Sequence, residues 1–114
     1  MFKGLFKKQY QFQLRNQNHE INNCTKKEVL SFIELMINNY DEFIVLCPVK
    51  PIDHIHFVQA AQIKNGIDVQ VSTTKDNNRY LYHKVCQKEE TIKIFMDFYE
   101  GKVPQLNNYQ LMEF

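Results

Sequence analysis

From Ile55 to Val85 apolar and polar residues alternate with a period of two, interrupted twice by turn-forming residues. A period of two places successive side chains on opposite faces of a strand, so three consecutive strands are expected. Ile55, Phe57, Gln59, Ala61 and Ile63 share one face of the first, and His56, Val58, Ala60 and Gln62 the other. Ile67, Val69, Val71 and Thr73 alternate with Asp68, Gln70 and Ser72, the pattern of a strand buried on one side. Lys64-Asn65-Gly66 reads as a three-residue hairpin loop, with Gly66 in the left-handed conformation. That loop faces Ile63 with Ile67, Ala61 with Val69, Gln59 with Val71 and Phe57 with Thr73. A two-residue Asn65-Gly66 loop would instead face Ala60 with Val71 and Val58 with Thr73. The first register is expected, because it gathers Ile55, Phe57 and Ile63 beside Ile67, Val69 and Val71. Asp76-Asn77-Asn78 makes the second turn, and the third strand sets Tyr80, Tyr82 and Lys84 against Leu81, His83 and Val85.

Two segments carry helical spacing instead. Thr25-Lys26-Lys27-Glu28 is a capping box, followed by Val29, Leu30, Phe32, Ile33, Met36, Ile37 and Tyr40 on a broad apolar face. Asn38-Asn39 marks its stop. A second helix spans 88–100, with Glu89 and Glu90 in the first turn and Ile92, Phe95, Met96 and Tyr99 inward. Gly101 and Pro104 end it.

The remaining strands flank these helices. Tyr10, Phe12 and Leu14 alternate with Gln9, Gln11, Gln13 and Arg15, a half-buried strand. Residues 16–23 are polar and read as a loop. The apolar run EFIVLCPV (42–49) fits a strand buried on both faces and closed by Pro48 and Pro51. The tail from Gln105 fits an edge strand or a packed extension. The order β-α-β-β-β-β-α predicts an α+β fold, an antiparallel sheet of about five strands with two helices on one face.

Composition narrows the class. A chain of 114 residues, 44% hydrophobic and 13% aromatic, is long enough for one domain with its own core, here rich in phenyl rings. A net charge of +1 gives no basic excess for nucleic acid, so RNA stacking on Tyr80 and Tyr82 is not expected. Abundant Asn, Lys and Ile resemble the usage of AT-rich bacterial genomes. Met1 to Lys8 mixes Phe2, Leu5 and Phe6 with three lysines; it reads as a segment docked on the domain rather than a membrane-surface helix. No secretory h-region and no run of membrane-span length occurs. Cys24, Cys47 and Cys86 are odd in number and widely spaced, hence free thiols, with Cys47 in the core. A cytoplasmic location is the expectation.

Chemistry-bearing groups are few. His54 and His56 form an H-x-H pair that a strand could offer to a metal, with Asp53 or His83 as further ligands. A metal needs three or four converging ligands, and only two are adjacent, so no metal or cofactor is expected. Cys86, three residues after His83, and Cys24, before the first helix, are thiol candidates without an orienting third group. Neither Asp41-Glu42 nor Glu89-Glu90 forms more than an acidic pair at an element end. A non-enzymatic role is the expectation, with an enzyme kept as the alternative.

The runs FVQAAQ (57–62), DVQVST (68–73) and YLYHKV (80–85), with the ending E-x-x-x-x-F-x-x-F-Y-E-G-x-x-P (90–104), carry a resemblance. They are similar to small single-domain proteins of low-GC bacteria and, more loosely, to immunity proteins of polymorphic toxin systems. Some immunity families end in a tryptophan motif, and this chain has no Trp. The resemblance implies a small cytosolic binder that occludes a toxin through a sheet face or edge, with no catalytic residues. The expected role is a protein-binding module whose partner is another protein or a second copy, with Tyr80, Tyr82, His54 and His56 as candidate contact residues. The alternative is a ligand- or metal-binding domain, or an enzyme, using His54, His56 and His83.

Overall fold

The structure, a computed structural model, describes residues 10–38 and 43–113. The segment Met1–Lys8, Gln9, the residues Asn39 and Tyr40, the pair Asp41-Glu42 and Phe114 lie outside the described residues. The chain is α+β, with an antiparallel sheet and two helices as the patterning predicts, but the sheet has seven strands rather than about five. The elements are β1 (Phe12–Arg15), β2 (Glu20–Ile21), α1 (Lys26–Asn38), β3 (Phe43–Pro48), β4 (Ile55–Ile63), β5 (Gly66–Lys75), β6 (Asn78–Cys86), α2 (Lys88–Tyr99) and β7 (Gln110–Leu111). Their spatial order is β2-β1-β3-β4-β5-β6-β7. The two strands beyond the five are the two-residue edges, of which β7 lies in the tail whose pattern fits an edge strand. β2 falls inside the polar stretch read as a loop and pairs Leu14 with Ile21, while β7 pairs Leu111 with Tyr82.

Both helices start and stop where local chemistry dictates. Thr25 N–H donates to the Glu28 carboxylate at 2.8 Å and Glu28 N–H to the Thr25 hydroxyl at 3.1 Å, the reciprocal capping box. At the end of α2, Lys102 N–H bonds the Asp97 carbonyl and Gly101 N–H that of Phe98, with Gly101 at φ +91°. This is a Schellman stop.

The register of the central hairpin departs from both sequence readings. Ile63 faces Gly66, Ala60 faces Val69 and Val58 faces Val71. The loop is therefore Lys64-Asn65 alone, and Gly66 is the first residue of β5. A β-carbon there would lie 3.0 Å from the Cys86 carbonyl oxygen, so Gly66 is required by the close approach of β6. Shortening the loop by one residue reverses which face of β4 is inward. Val58 and Ala60 are buried beneath the helices, and Phe57, Gln59, Ala61 and Ile63 lie on the opposite face. Ile55 still reaches the core, because a bulge at His56 sets two residues of β4 against one step of β5. The second turn closes on Asp76 and Asn77, both at positive φ (53° and 68°), the twist-matched two-residue hairpin that Asx residues tolerate.

A single core joins both helices to one sheet face. Val29, Ile33 and Met36 of α1 and Phe95 and Phe98 of α2 close over Phe12, Leu14, Ile44, Leu46, Val58, Val69 and Val71. Phe12 meets Phe98 edge-on at 5.5 Å and stacks on Tyr99 at 5.3 Å. The Tyr99 hydroxyl donates to the Cys24 carbonyl at 2.8 Å, tying the end of α2 to the start of α1. Cys24 and Cys86 are the buried cysteines. Cys47, expected in the core, is half-buried on the other face, since it alternates with the inward Leu46 and Pro48. None of the three is paired in a disulfide.

Candidate functional site

With both helices on one side, no described element packs over the other face of the sheet. Cross-strand partners share a face, so the register names its occupants. One row crosses the sheet as Arg15, Val45, Gln59, Gln70, His83 and Gln110. Its centre is a hydrogen-bonded ladder. Gln59 Nε2 donates to Gln70 Oε1 at 2.6 Å, Gln70 Nε2 to Asp68 Oδ2 at 2.9 Å, and His83 Nδ1 meets Asp68 Oδ1 at 3.0 Å.

The two ends of this face differ in chemistry. Towards the Lys64-Asn65 turn lie Phe43, Ile63 and Val85, with exposures of 38%, 38% and 49%, around Ala61. Leu35, Val49 and Leu111 are exposed to a similar or greater degree, so what sets these three apart is their shared position on the helix-free face rather than their exposure. Phe43, Ala61, Gln59 and Gln70 line a shallow hollow there. Towards the Asp76-Asn77 turn the face carries Arg79 and the imidazole of His56. Arg79 Nη2 donates to the Ser72 hydroxyl at 3.2 Å, and His56 Nε2 contacts the Thr74 hydroxyl. Burial lowers the His56 pKa, and Arg79 and His54 push it further down. Burial raises the Cys47 thiol, and Arg15 and Arg79 oppose that rise.

The sequence-derived candidates fall in three places. His54 sits at positive φ (70°) in the tight turn before β4, its carbonyl accepting from Thr74 N–H and the Thr73 hydroxyl. His56 is the bulge residue beside Thr74, whereas His83 stands on β6 opposite Gln70. Thr74 and Gln70 are four residues apart on β5, roughly 13 Å at the rise of a strand, so His83 does not join the other two. Among the described residues no group of three or more His, Cys, Asp or Glu is placed to hold a metal. Tyr80 and Tyr82 point to the helix side of β6, half-buried beside Thr73 and Val71, and Tyr82 faces Leu111. They flank the core and do not belong to the open face.

The thiol candidates are turned away from nucleophilic chemistry. Burial, with Glu28 nearby, pushes Cys24 up to about 11, and burial with Glu90 does the same to Cys86. A cleft of about 250 Å³ lies between α2 and the 102–109 segment. Its charges are largely answered from within, Lys84 by Glu90 and Lys93 by Asp97, and Lys84 also lies over the Tyr109 ring. Sequence reading missed Arg15, Gln59, Asp68, Gln70 and Arg79, which belong to four different strands. Only the alternation around Asp68 and Gln70 signalled them. Comparison with protein-family models, curated proteins and solved structures finds no match to this chain.

Proposed function

We propose that this chain is a non-enzymatic protein-binding module, of the immunity or antitoxin kind, that docks its partner on the open face of the sheet. The observation that carries the reading is the face itself: Phe43, Ile63 and Val85 exposed beside a ladder of amides, opposite a fully built core. The short edges β2 and β7 favour the face over strand addition, because two-residue edges offer little backbone to pair. Thiols raised to about 11 and histidines split between β4 and β6 support a binder over an enzyme.

The test is a pull-down with tagged full-length chain from lysate of the source cell, read by mass spectrometry. A stoichiometric protein captured by the wild type, lost with Phe43→Asp plus Val85→Asp and retained with Tyr80→Ala plus Tyr82→Ala, is the expected result. Retention with the Phe43/Val85 variant, or loss only with the tyrosine variant, would refute docking on this face.

A further inference from the structure

On the open face, large side chains of one central strand stand beside small ones of the next. β4 presents Phe57, Gln59, Ala61 and Ile63 there, and their cross-strand mates on β5 are Ser72, Gln70, Asp68 and Gly66. Phe57 thus stands beside the short Ser72, and Ile63, partly open to solvent, beside a glycine with no side chain. The flanking strands are matched at one level: Phe43 of β3 faces Ala61, and Val85 of β6 faces Asp68. Between these pairs stand two amides with capacity to spare. Gln59 gives one N–H to Gln70 Oε1 and Gln70 gives one to Asp68, so each amide keeps a second N–H and Gln59 keeps its oxygen.

We infer that the occupant of this face is a second copy of the chain, packed face to face about a twofold axis that runs along the strands between β4 and β5. This rests on the docking face proposed above. Such an axis exchanges β4 with β5 and β3 with β6, so each residue lies over the equivalent of its own cross-strand mate. Phe57 then lies over Ser72 and Ile63 over Gly66, large on small, and the spare N–H of each Gln70 meets the free Gln59 oxygen of the other copy. Phe43 meets Val85. Asp68 lies over Ala61 and Arg15 towards Gln110, so neither charge meets its own copy. A twofold axis along the rows would instead lay the Phe43–Val85 end on Thr74 and Arg79, apolar on polar. A dissimilar partner gains nothing from mates matched in size within one face, whereas a copy related by this axis does. The area also suits: β1 and β3–β6 at ~4.8 Å spacing, and strands of nine residues at ~3.3 Å rise, give roughly 700 Å², close to the ~800 Å² per partner of a stable interface.

The test is sedimentation equilibrium of the full chain from micromolar to millimolar concentration, for the wild type and for Phe43→Lys and Val85→Glu, alone and mixed. The wild type is expected to dimerise. Each variant alone should dimerise at least about tenfold more weakly, because the axis lays its new charge on an apolar side chain of the other copy. The mixture should recover the dimer, since the introduced ammonium then meets the introduced carboxylate while Val85 and Phe43 meet at the symmetry-related contact. In a mixed-label wild-type sample, an isotope-filtered NOE from the Ile63 methyls of one copy to the Gly66 α-protons of the other reads the same register without any substitution. A wild type that stays monomeric at millimolar concentration would overturn the inference, as would a dimer lacking that NOE or a mixture of the folded variants no tighter than either alone. Capture of a different protein, dependent on Phe43 and Val85, by a chain that is itself monomeric would overturn the second copy and leave the docking face in place.

Discussion

Gln59 Nε2 donates to Gln70 Oε1 across the β4–β5 pair at 2.6 Å, at the centre of the sheet face that no described helix covers. Gln70 passes the contact on to Asp68, and Asp68 to His83, so three strands are linked by side chains as well as backbone. Removing Gln70 breaks two bonds in this ladder. Gln70→Ala is expected to cost about 1–2 kcal/mol and Gln59→Ala about 1 kcal/mol. If the ladder acts as a unit, the double variant loses less than the sum, with a coupling of at least about 0.5 kcal/mol. Urea unfolding of the four proteins measures it, and strict additivity would show that the amides act separately.

Gly101 is held at φ +91° with the Tyr10 ring against it; a β-carbon there would lie 2.4 Å from Tyr10 Cε2. Gly101→Ala therefore meets two penalties, a left-handed backbone and a clash. A loss of about 2 kcal/mol is expected, read from the shift in denaturation midpoint. In a Tyr10→Ala background the clash is gone, and the same substitution should cost clearly less. An equal cost in both backgrounds would assign the whole effect to the backbone.

These two sites mark the boundary of what local sequence reveals. The capping box at Thr25–Glu28 and the stop at Gly101 are legible because every atom involved lies within a few residues. Gly66 looks the same in sequence, yet its need comes from Cys86 on a neighbouring strand, and one residue of loop length decides which face of β4 turns inward. Hence Phe57 and Ile63 were expected in the core and lie outside it. β2 and β7 are too short for any period to register. The open face was hidden for the same reason as the register: its residues come from β1, β3, β4, β5 and β6, and no local pattern joins positions so far apart in the chain.

Gln62 lies on the helix side of β4, across from Ile67, and its Oε1 is buried with no hydrogen-bond partner among the described residues. A buried carbonyl without a donor retains its desolvation cost, so an apolar side chain of similar shape should do better there. Gln62→Met is expected to be neutral or to stabilise by up to about 1 kcal/mol, in contrast to most substitutions at buried positions. A thermal melt decides it. A clear loss of stability would mean that the amide has a partner in the folded chain.

Three groups make stability fall at high pH. Burial raises Cys24 and Cys86 from 9.0 to about 11 and Tyr109 from 10.0 to about 12. In each case the unfolded chain ionises first, so it holds fewer protons than the folded chain within that window. The contribution is complete below pH 9, then is lost from 9 to about 11 for the thiols and from 10 to about 12 for Tyr109. Denaturant midpoints measured from pH 8 to 11 should therefore decline, and Cys24→Ala plus Cys86→Ala should flatten the first part of that decline. At pH 8 a thiol-specific reagent should label Cys47 well before the other two, which react only as fast as the protein opens. Labelling of Cys24 or Cys86 at the rate of a free thiol would contradict the burial assigned to them.

The open face should be separable from the fold. Val85 and Phe43 are 49% and 38% exposed, whereas Leu46, on the inner face of the same sheet, is fully buried. Leu46→Ala deletes buried methyl groups and leaves a cavity, so it should cost about 2–5 kcal/mol. Val85→Ser and Phe43→Ser remove side chains that are already partly in water, and each should cost less than about 1 kcal/mol. Guanidinium unfolding of the three variants checks the ordering. If the surface substitutions proved as costly as Leu46→Ala, Phe43 and Val85 would belong to the stability of the domain, and their exposure would no longer argue for a partner. If they are cheap, the apolar end of this face is free to serve contact, and loss of partner capture in the same variants would then be a loss of binding alone.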